Sequence, residues 1–361
     1  MFVSTTDNLT ISRILTLGAE RQASDIHLSV GNQPVLRRGG KLEVLTGEAV
    51  LTPEILQQIV TTILTPDKQQ VLVKQKSVTV AYNFSNRARY RVHVDFQKDV
   101  PAVDLRYIPL AVPKPEQLGL PKEFLELARH NQGLIIVSGP LGSGRTTAVA
   151  SLLDSINHSA GKHLLTIEDP IEYLLVNDKS LIKQRDLGDD TPSLPQALDD
   201  VKVEDVDVIA VDVSVPPSAW PRLVNLAGAG ILVIVIAGAD STVKALEALD
   251  MNMVPGIDKA GFQNLLAEVF LGATCQRLLP RVGGGLVLVS EILLGTQPVK
   301  ALLRDSKILQ LQSVLETSRD EGMISLERRL ADLVKTGEVI SAEAIGQASR
   351  PDALKSMLKV R

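Results

Sequence analysis

The sequence predicts an α/β fold: a mostly parallel sheet with helices on both faces, preceded by a smaller α+β domain. Three observations predict it. The apolar runs Leu134–Val137, Leu164–Ile167, Val206–Val211 and Ile231–Ile236 alternate with helical segments, the pattern of buried parallel strands. The first run leads into a glycine-rich loop and then an apolar helix from about Thr146 to Ile156. The first hundred or so residues instead show period-2 alternation, which marks strands with one buried face.

Taken in order, Leu51-Thr52-Pro53-Glu54 opens a helix, with Thr52 as cap and Pro53 in the first turn. Ile55, Ile59 and Ile63 then share one face. In Val78–Phe84 the apolar side is Val78, Val80, Tyr82 and Phe84. In Arg89–Phe96 it is Tyr90, Val92, Val94 and Phe96, leaving Arg89, Arg91, His93 and Asp95 opposite. A third strand, Val103–Ile108, carries Arg106. The three prolines of Leu110–Pro121 read as a linker. This gives an N-terminal domain over 1–109, a linker over 110–121 and the main domain over 122–361. Near the end, Leu326, Leu330 and Leu333 form a helical stripe that stops at Gly337, and Ser341 is expected to cap the next helix.

At 361 residues the chain is long enough for two cores. A net charge of −4 carries no electrostatic footprint for nucleic acid or an anionic membrane. The single cysteine, Cys275, excludes an intrachain disulfide and any multi-cysteine zinc site, and is expected as a buried, inert thiol. No apolar run approaches the roughly 20 residues of a membrane-spanning helix. No basic region followed by an apolar stretch opens the chain, so a cytoplasmic location is expected. His163, just before an apolar run, reads as a surface loop residue.

The chemistry concentrates in Gly139-Pro140-Leu141-Gly142-Ser143-Gly144-Arg145-Thr146-Thr147. The pattern G-x-x-x-x-G-K-[ST] binds phosphate because its glycines let successive backbone N–H groups curl around the oxygens. Its lysine reaches the β/γ-phosphates and its hydroxyl, here Thr146, holds Mg²⁺. Arg145 replaces the lysine, exchanging a compact ammonium for a broad planar fork.

Further segments carry a family resemblance over nearly the whole chain. Ala23-Ser24-Asp25-Ile26-His27-Leu28, Thr166-Ile167-Glu168-Asp169-Pro170-Ile171-Glu172 and Gln184-Arg185-Asp186 resemble the bacterial type II/IV secretion ATPases. Gln276-Arg277-Leu278-Leu279-Pro280, Ala301–Lys307 and Glu321-Gly322-Met323 narrow the resemblance to the type IV pilus retraction (PilT-like) ATPases. The resemblance implies a PAS-like N-terminal domain and a RecA-like P-loop core, assembled as a hexameric ring that binds ATP or ADP with Mg²⁺. It implies an inner-membrane pilus platform protein as partner, so that the cytoplasmic chain is peripherally attached through the machinery. It also implies that N-domain arginines reach the γ-phosphate. Arg89, Arg91 and Arg106 stand at those places, with a solvated strand face as the alternative, and Asp99 replaces a further basic residue.

Several positions depart from that family. Its first acidic segment survives as Glu168-Asp169-Pro170-x-Glu172, although D-P is also ordinary turn chemistry. Its second becomes Glu204-Asp205-Val206-Asp207-Val208-Ile209-Ala210-Val211-Asp212-Val213, with Val213 at the glutamate position. Asp212 also fits the general pattern of a Mg²⁺-holding aspartate, one residue early, an offset that turns a strand side chain to the other face. The family's two histidines are replaced by Ile231 and Gly238. Positioning or general-base groups commonly carry about 10²–10⁴-fold in rate, so the losses point to weak or absent hydrolysis. Three readings follow. In the first the chain is a nucleotide-binding accessory or regulatory subunit, in a homo-hexamer or in a mixed ring with an active homologue. In the second it is an active motor using Glu168 and Asp212 in altered roles. In the third it is a scaffold without nucleotide, with Arg145 sealing the loop against a carboxylate.

Overall fold

The computed structural model describes residues 5–84, 88–251 and 258–359. The chain divides into two compact units, one comprising Met1–Ala111 with Asp169–Leu174, the other Val112–Glu168 with Leu175–Arg361.

The first unit is an antiparallel sheet of β1 (Asp25–Leu28), β2 (Val35–Arg38), β3 (Lys41–Val44), β4 (Ser77–Phe84), β5 (Ala88–Gln97) and β6 (Val100–Ile108). Its order is β3-β2-β1-β6-β5-β4. The helix Pro53–Ile63 begins where the Thr52–Pro53 signal sets it, and the Thr52 hydroxyl accepts from the Ile55 N–H at 3.3 Å. Ile59 and Ile63 are buried, and Ile55 packs at the margin of the same core. Tyr90, Val92 and Val94 are fully enclosed, while Val80, Tyr82, Phe84 and Phe96 close its rim. The Tyr90 hydroxyl donates to the Leu15 carbonyl at 3.0 Å, and burial pushes its pKa up.

The stretch 110–121 is not a bare linker. It contains the one-turn helix Pro115–Leu118, and Leu120 is buried with Phe124 of the next helix, Lys122–Leu127. Its leucines need cover, and from Val112 onward the chain packs with the second unit.

The second unit is built on β7 (Gly133–Ser138), β8 (His163–Glu168), β9 (Leu181–Asp186), β10 (Val208–Asp212), β11 (Leu232–Ala237), β12 (Phe270–Pro280) and β13 (Leu286–Leu294). The order is β13-β12-β7-β11-β10-β8-β9, parallel throughout except for the β12–β13 pair. Both faces are covered, which explains the continuous apolar runs. Ile135, Val137, Leu164, Ala210 and Ile234 meet the helix Arg145–Ser159 on one face. Leu134, Ile136, Ile167, Val211 and Val235 meet the helices Trp220–Gly228, Thr242–Met251 and Lys259–Val269 on the other. His163 begins β8 rather than lying in a loop, with its Nδ1 3.0 Å from the Asp205 carbonyl.

The helix Leu326–Lys335 lays Leu326, Leu330 and Leu333 against Leu279 and Val289. Ser341 is the first residue of its helix rather than the cap, a position that extended Ile340 takes without a side-chain bond. Cys275 is buried at 1% exposure, and burial followed by the nearby Glu291 pushes its thiol up to about 12. The Glu291 carboxylate joins three elements. It accepts from the Thr242 N–H at 2.8 Å, the Thr242 hydroxyl at 2.7 Å and the Leu326 N–H at 3.4 Å.

Candidate functional site: the phosphate loop and its neighbours

The loop 139–144 joins β7 to the helix Arg145–Ser159 at the carboxyl end of the sheet, where parallel α/β folds place their ligands. Gly139 has φ +151, and a Cβ there would lie 2.4 Å from Ser143 Oγ and 2.5 Å from the Gln276 carbonyl, so no other residue fits. Gly142 turns through φ +78 with nothing within 4 Å of a would-be Cβ, which marks the open side of the loop. Gly144 occupies the helix cap and brings no capping side chain, so the first-turn N–H groups face the loop. Ser143 is buried, its Oγ without a hydrogen-bond partner among the described residues. Leu141 is 93% exposed and can offer a ligand little but its backbone. This backbone fits a phosphate group, and Thr146 and Thr147 follow in the first helical turn.

The cation is directed elsewhere. Arg145 Nη1 donates to the Ala237 carbonyl at the end of β11, at 2.7 Å. Its partner is therefore a backbone carbonyl and not the carboxylate that a sealing role would need. Gly238 follows immediately, and a Cβ there would stand 3.8 Å from Arg145 Nη1. Arg145 and Gly238 line a cavity of about 480 Å³ with Gly139, Pro140 and Lys244. Lys244 pairs with Asp240 at 2.9 Å. Nothing in the sequence pattern singled out Lys244 or the Ala237 carbonyl.

Glu168 and Asp212 are cross-strand partners at the ends of β8 and β10. Alternation along β10 puts Val208, Ala210 and then Asp212 on the face covered by the helix Arg145–Ser159, and Glu168 follows Leu164 and Thr166 on that same face. The one-residue offset thus turns Asp212 to the phosphate-loop side, while Val213 packs into the apolar cluster of the opposite face. Glu168 is 8% exposed, and its Oε1 accepts from Thr166 Oγ1 at 2.6 Å and Gln184 Nε2 at 3.0 Å. The Gln184-Arg185-Asp186 segment carried the signal for that second contact. The other acids of the second segment serve structure. Glu204 binds Arg185 at 2.6 Å, and Asp207 accepts from the His163 N–H at 2.8 Å. Burial pushes the Glu204 carboxyl up, but the Arg185 hydrogen bond and charge outweigh it and leave the pKa lowered.

Arg89, Arg91 and Arg106 belong to the first unit. Arg89 is 7% exposed, so the alternative of a solvated strand face does not hold for it. It bonds Asn83 Oδ1 and the Ile171 carbonyl, the latter at 2.6 Å. Arg91 pairs with Glu172 at 3.0 Å. Arg106 is exposed, placed by register between Arg91 on β5 and Asp25 on β1. The acidic segment is therefore divided: Glu168 stays with β8, whereas Ile171 and Glu172 engage arginines of the first unit.

Comparison with known proteins agrees with this architecture. The family model described as type II/IV secretion system protein matches residues 114–187. The chain is 31% identical to the type IV pilus retraction ATPase PilT of Pseudomonas aeruginosa over 345 residues, covering 95% of this chain and 99% of that protein. It is 27% identical to the type IV pilus ATPase PilU of the same organism, covering 96% and 91%. A twitching motility protein of Neisseria gonorrhoeae is 31% identical, with coverage of 84% and 81%. The crystal structure of the pilus retraction motor PilT with bound ADP superposes with a TM-score of 0.84 at 30% identity, covering 96% and 99%. The glycine loop at the carboxyl end of a largely parallel sheet, and relatives matched from end to end, lead to one conclusion: this chain belongs to the PilT-like type IV pilus retraction ATPases of the type II/IV secretion superfamily.

Proposed function

We propose that this chain is a nucleotide-binding PilT-like subunit whose ATP hydrolysis is weak or lost, an accessory or regulatory component of pilus retraction. The observation that carries this reading is the seat of Arg145 on the Ala237 carbonyl, 2.7 Å away, where an unaltered loop would offer a lysine to phosphate. Val213 adds to it, since the position expected to hold a carboxylate packs instead into an apolar cluster. Nucleotide binding is supported by the loop backbone, whose donors need no side chain, and by the PilT structure obtained with ADP. In this reading the N–H groups of 142–147 hold phosphate and Thr146 offers its hydroxyl to Mg²⁺, which supplies charge neutralisation when bound. The working assembly is a homo-hexamer or a mixed ring with an active homologue. It is cytoplasmic and held to the inner membrane through a pilus platform protein. Among the described residues no helix is long and apolar enough to cross a membrane.

One observation favours a second reading, an active motor. Asp212 and Glu168 stand side by side on the phosphate-loop face, where a metal-holding and a water-orienting carboxylate would be useful. Steady-state phosphate release by the purified chain, with calorimetric titration of ADP and ATP in Mg²⁺, separates the two. The first reading expects binding with turnover at least about 100-fold below a PilT assayed alongside. Equal turnover supports the motor and sinks the accessory reading.

A further inference from the structure

Gly238 has an ordinary backbone conformation, so torsion does not require glycine there. Space does. A Cβ would sit 3.8 Å from Arg145 Nη1, ordinary contact, but any atom beyond it directed the same way would meet the guanidinium. The seat itself is specific: Nη1 donates to the Ala237 carbonyl at 2.7 Å and links the first residue of the phosphate-loop helix to the last residue of β11. Arg145 and Gly238 line the same cavity beside Gly139.

We propose that Arg145 and Gly238 form one functional pair, in which the slot left by Gly238 fixes the Arg145 guanidinium on the Ala237 carbonyl and so sets how the loop discriminates between nucleoside di- and triphosphates. A guanidinium anchored by one nitrogen has its position set by the Ala237 carbonyl, so its remaining N–H groups close on a terminal phosphate only in the orientation that anchor allows. Recognition then rests on backbone N–H donors, which ADP and ATP use alike. The chain accordingly binds the two with affinities within about threefold of each other, the residue of a discrimination that a free cation makes larger. This inference rests on the nucleotide-binding reading for its second half only; the pairing of Arg145 with Gly238 exists without nucleotide.

The test therefore has two arms on the full chain. The first is thermal unfolding without nucleotide. Gly238→Ala leaves the midpoint within about 1 °C, and Gly238→Leu lowers it by about 3 °C or more. In the Arg145→Ala background, where the slot is vacant, Gly238→Leu loses most of that effect. If Gly238→Leu costs the same with and without Arg145, the pairing is overturned. The second arm measures displacement of a fluorescent ADP analogue by ADP and by ATP with Mg²⁺. Arg145→Lys raises the ATP-to-ADP affinity ratio by at least about fivefold, because an ammonium free of the carbonyl makes a charge-assisted hydrogen bond to the terminal phosphate. Gly238→Leu changes the ratio only when Arg145 is present. A ratio unmoved by either change refutes the discrimination role. Absence of any nucleotide binding in the unaltered chain refutes the functional reading, while the thermal arm still decides the pairing.

Discussion

Glu291 offers the most direct test of how the second unit is held together. Its carboxylate is 4% exposed and accepts three hydrogen bonds, two from the N–H and hydroxyl of Thr242 and a longer one from the Leu326 N–H. Thr242 is itself fully buried, at the start of the helix that lines the cavity beside the loop. Glu291→Ala strands both Thr242 donors away from water, at about 1–3 kcal/mol each. The expected loss is about 3–5 kcal/mol, which at roughly 2–4 °C per kcal/mol lowers the unfolding midpoint by about 6–20 °C. Glu291→Gln keeps an oxygen for Thr242 and sets an amide nitrogen against the Leu326 N–H, so its loss at low pH is about 1 kcal/mol. The pH dependence carries the sharper signature. Burial, reinforced by nearby Glu327 and only partly opposed by the hydrogen bonds, raises the Glu291 pKa above its ordinary 4.5. A carboxyl with a raised folded-state pKa favours folding fully below the unfolded value, and that contribution fades as pH rises through the folded one. Wild type should therefore lose ground to Glu291→Gln as pH climbs above 4.5. The assay is unfolding followed by circular dichroism from about pH 4 to 8, beginning below the ordinary carboxyl value of 4.5 and rising through neutrality. A difference between the two proteins that does not change with pH refutes the reasoning, as does a Glu291→Ala loss below about 1 kcal/mol.

Four further outcomes are expected. Gly139→Ala drives a Cβ to within 2.5 Å of the Gln276 carbonyl, so the loop must shift; ADP affinity measured by calorimetry should fall at least about tenfold, since displaced backbone donors no longer converge. Glu204→Gln removes the charge that Arg185 holds at 2.6 Å. It should lower stability by about 1 kcal/mol at neutral pH, and because the Glu204 pKa is lowered below 4.5, the difference from wild type should vanish as pH falls through the folded-state value. Arg89→Ala leaves the Ile171 carbonyl without its 2.6 Å donor and should cost about 2 kcal/mol. Arg91→Ala, at a pair with 46% exposure on the arginine side, should cost under about 1 kcal/mol in the same unfolding assay.

The sheet was legible because its strands are buried on both faces and therefore read as unbroken apolar runs. The loop was legible because Gly139, Gly142 and Gly144 stand where backbone curvature demands them. Arg145 could be recognised as a departure, but its partner is the main-chain oxygen of Ala237, and a carbonyl leaves no mark in side-chain identity. The side of the sheet taken by Asp212 was hidden for another reason. An offset relative to Val213 says that the two diverge, and only the register with Glu168 says which faces the phosphate-loop helix. The burial of Arg89 was not legible, because alternation places it on the polar side of its strand, while Asn83 and the Ile171 carbonyl make that site a buried one. Ile171 follows Arg89 by more than eighty positions, so no local pattern could report the contact.

The segment Asp169–Leu174 has a consequence for how the molecule can be taken apart. Because it packs with the first unit, the backbone passes between units after Ala111, after Glu168 and again after Leu174. Severing the chain at Ala111 would not yield two modules. The amino-terminal piece would lose the Ile171 carbonyl that Arg89 holds and the Glu172 carboxylate that Arg91 holds, and the remainder would carry 169–174 away from the unit it packs with. Proteolytic nicking near residue 111 should accordingly leave the two fragments associated under native conditions. The boundary between the units is drawn through the interior of the acidic motif that runs from Glu168 to Glu172, rather than at a hinge that evolution could cut and reuse.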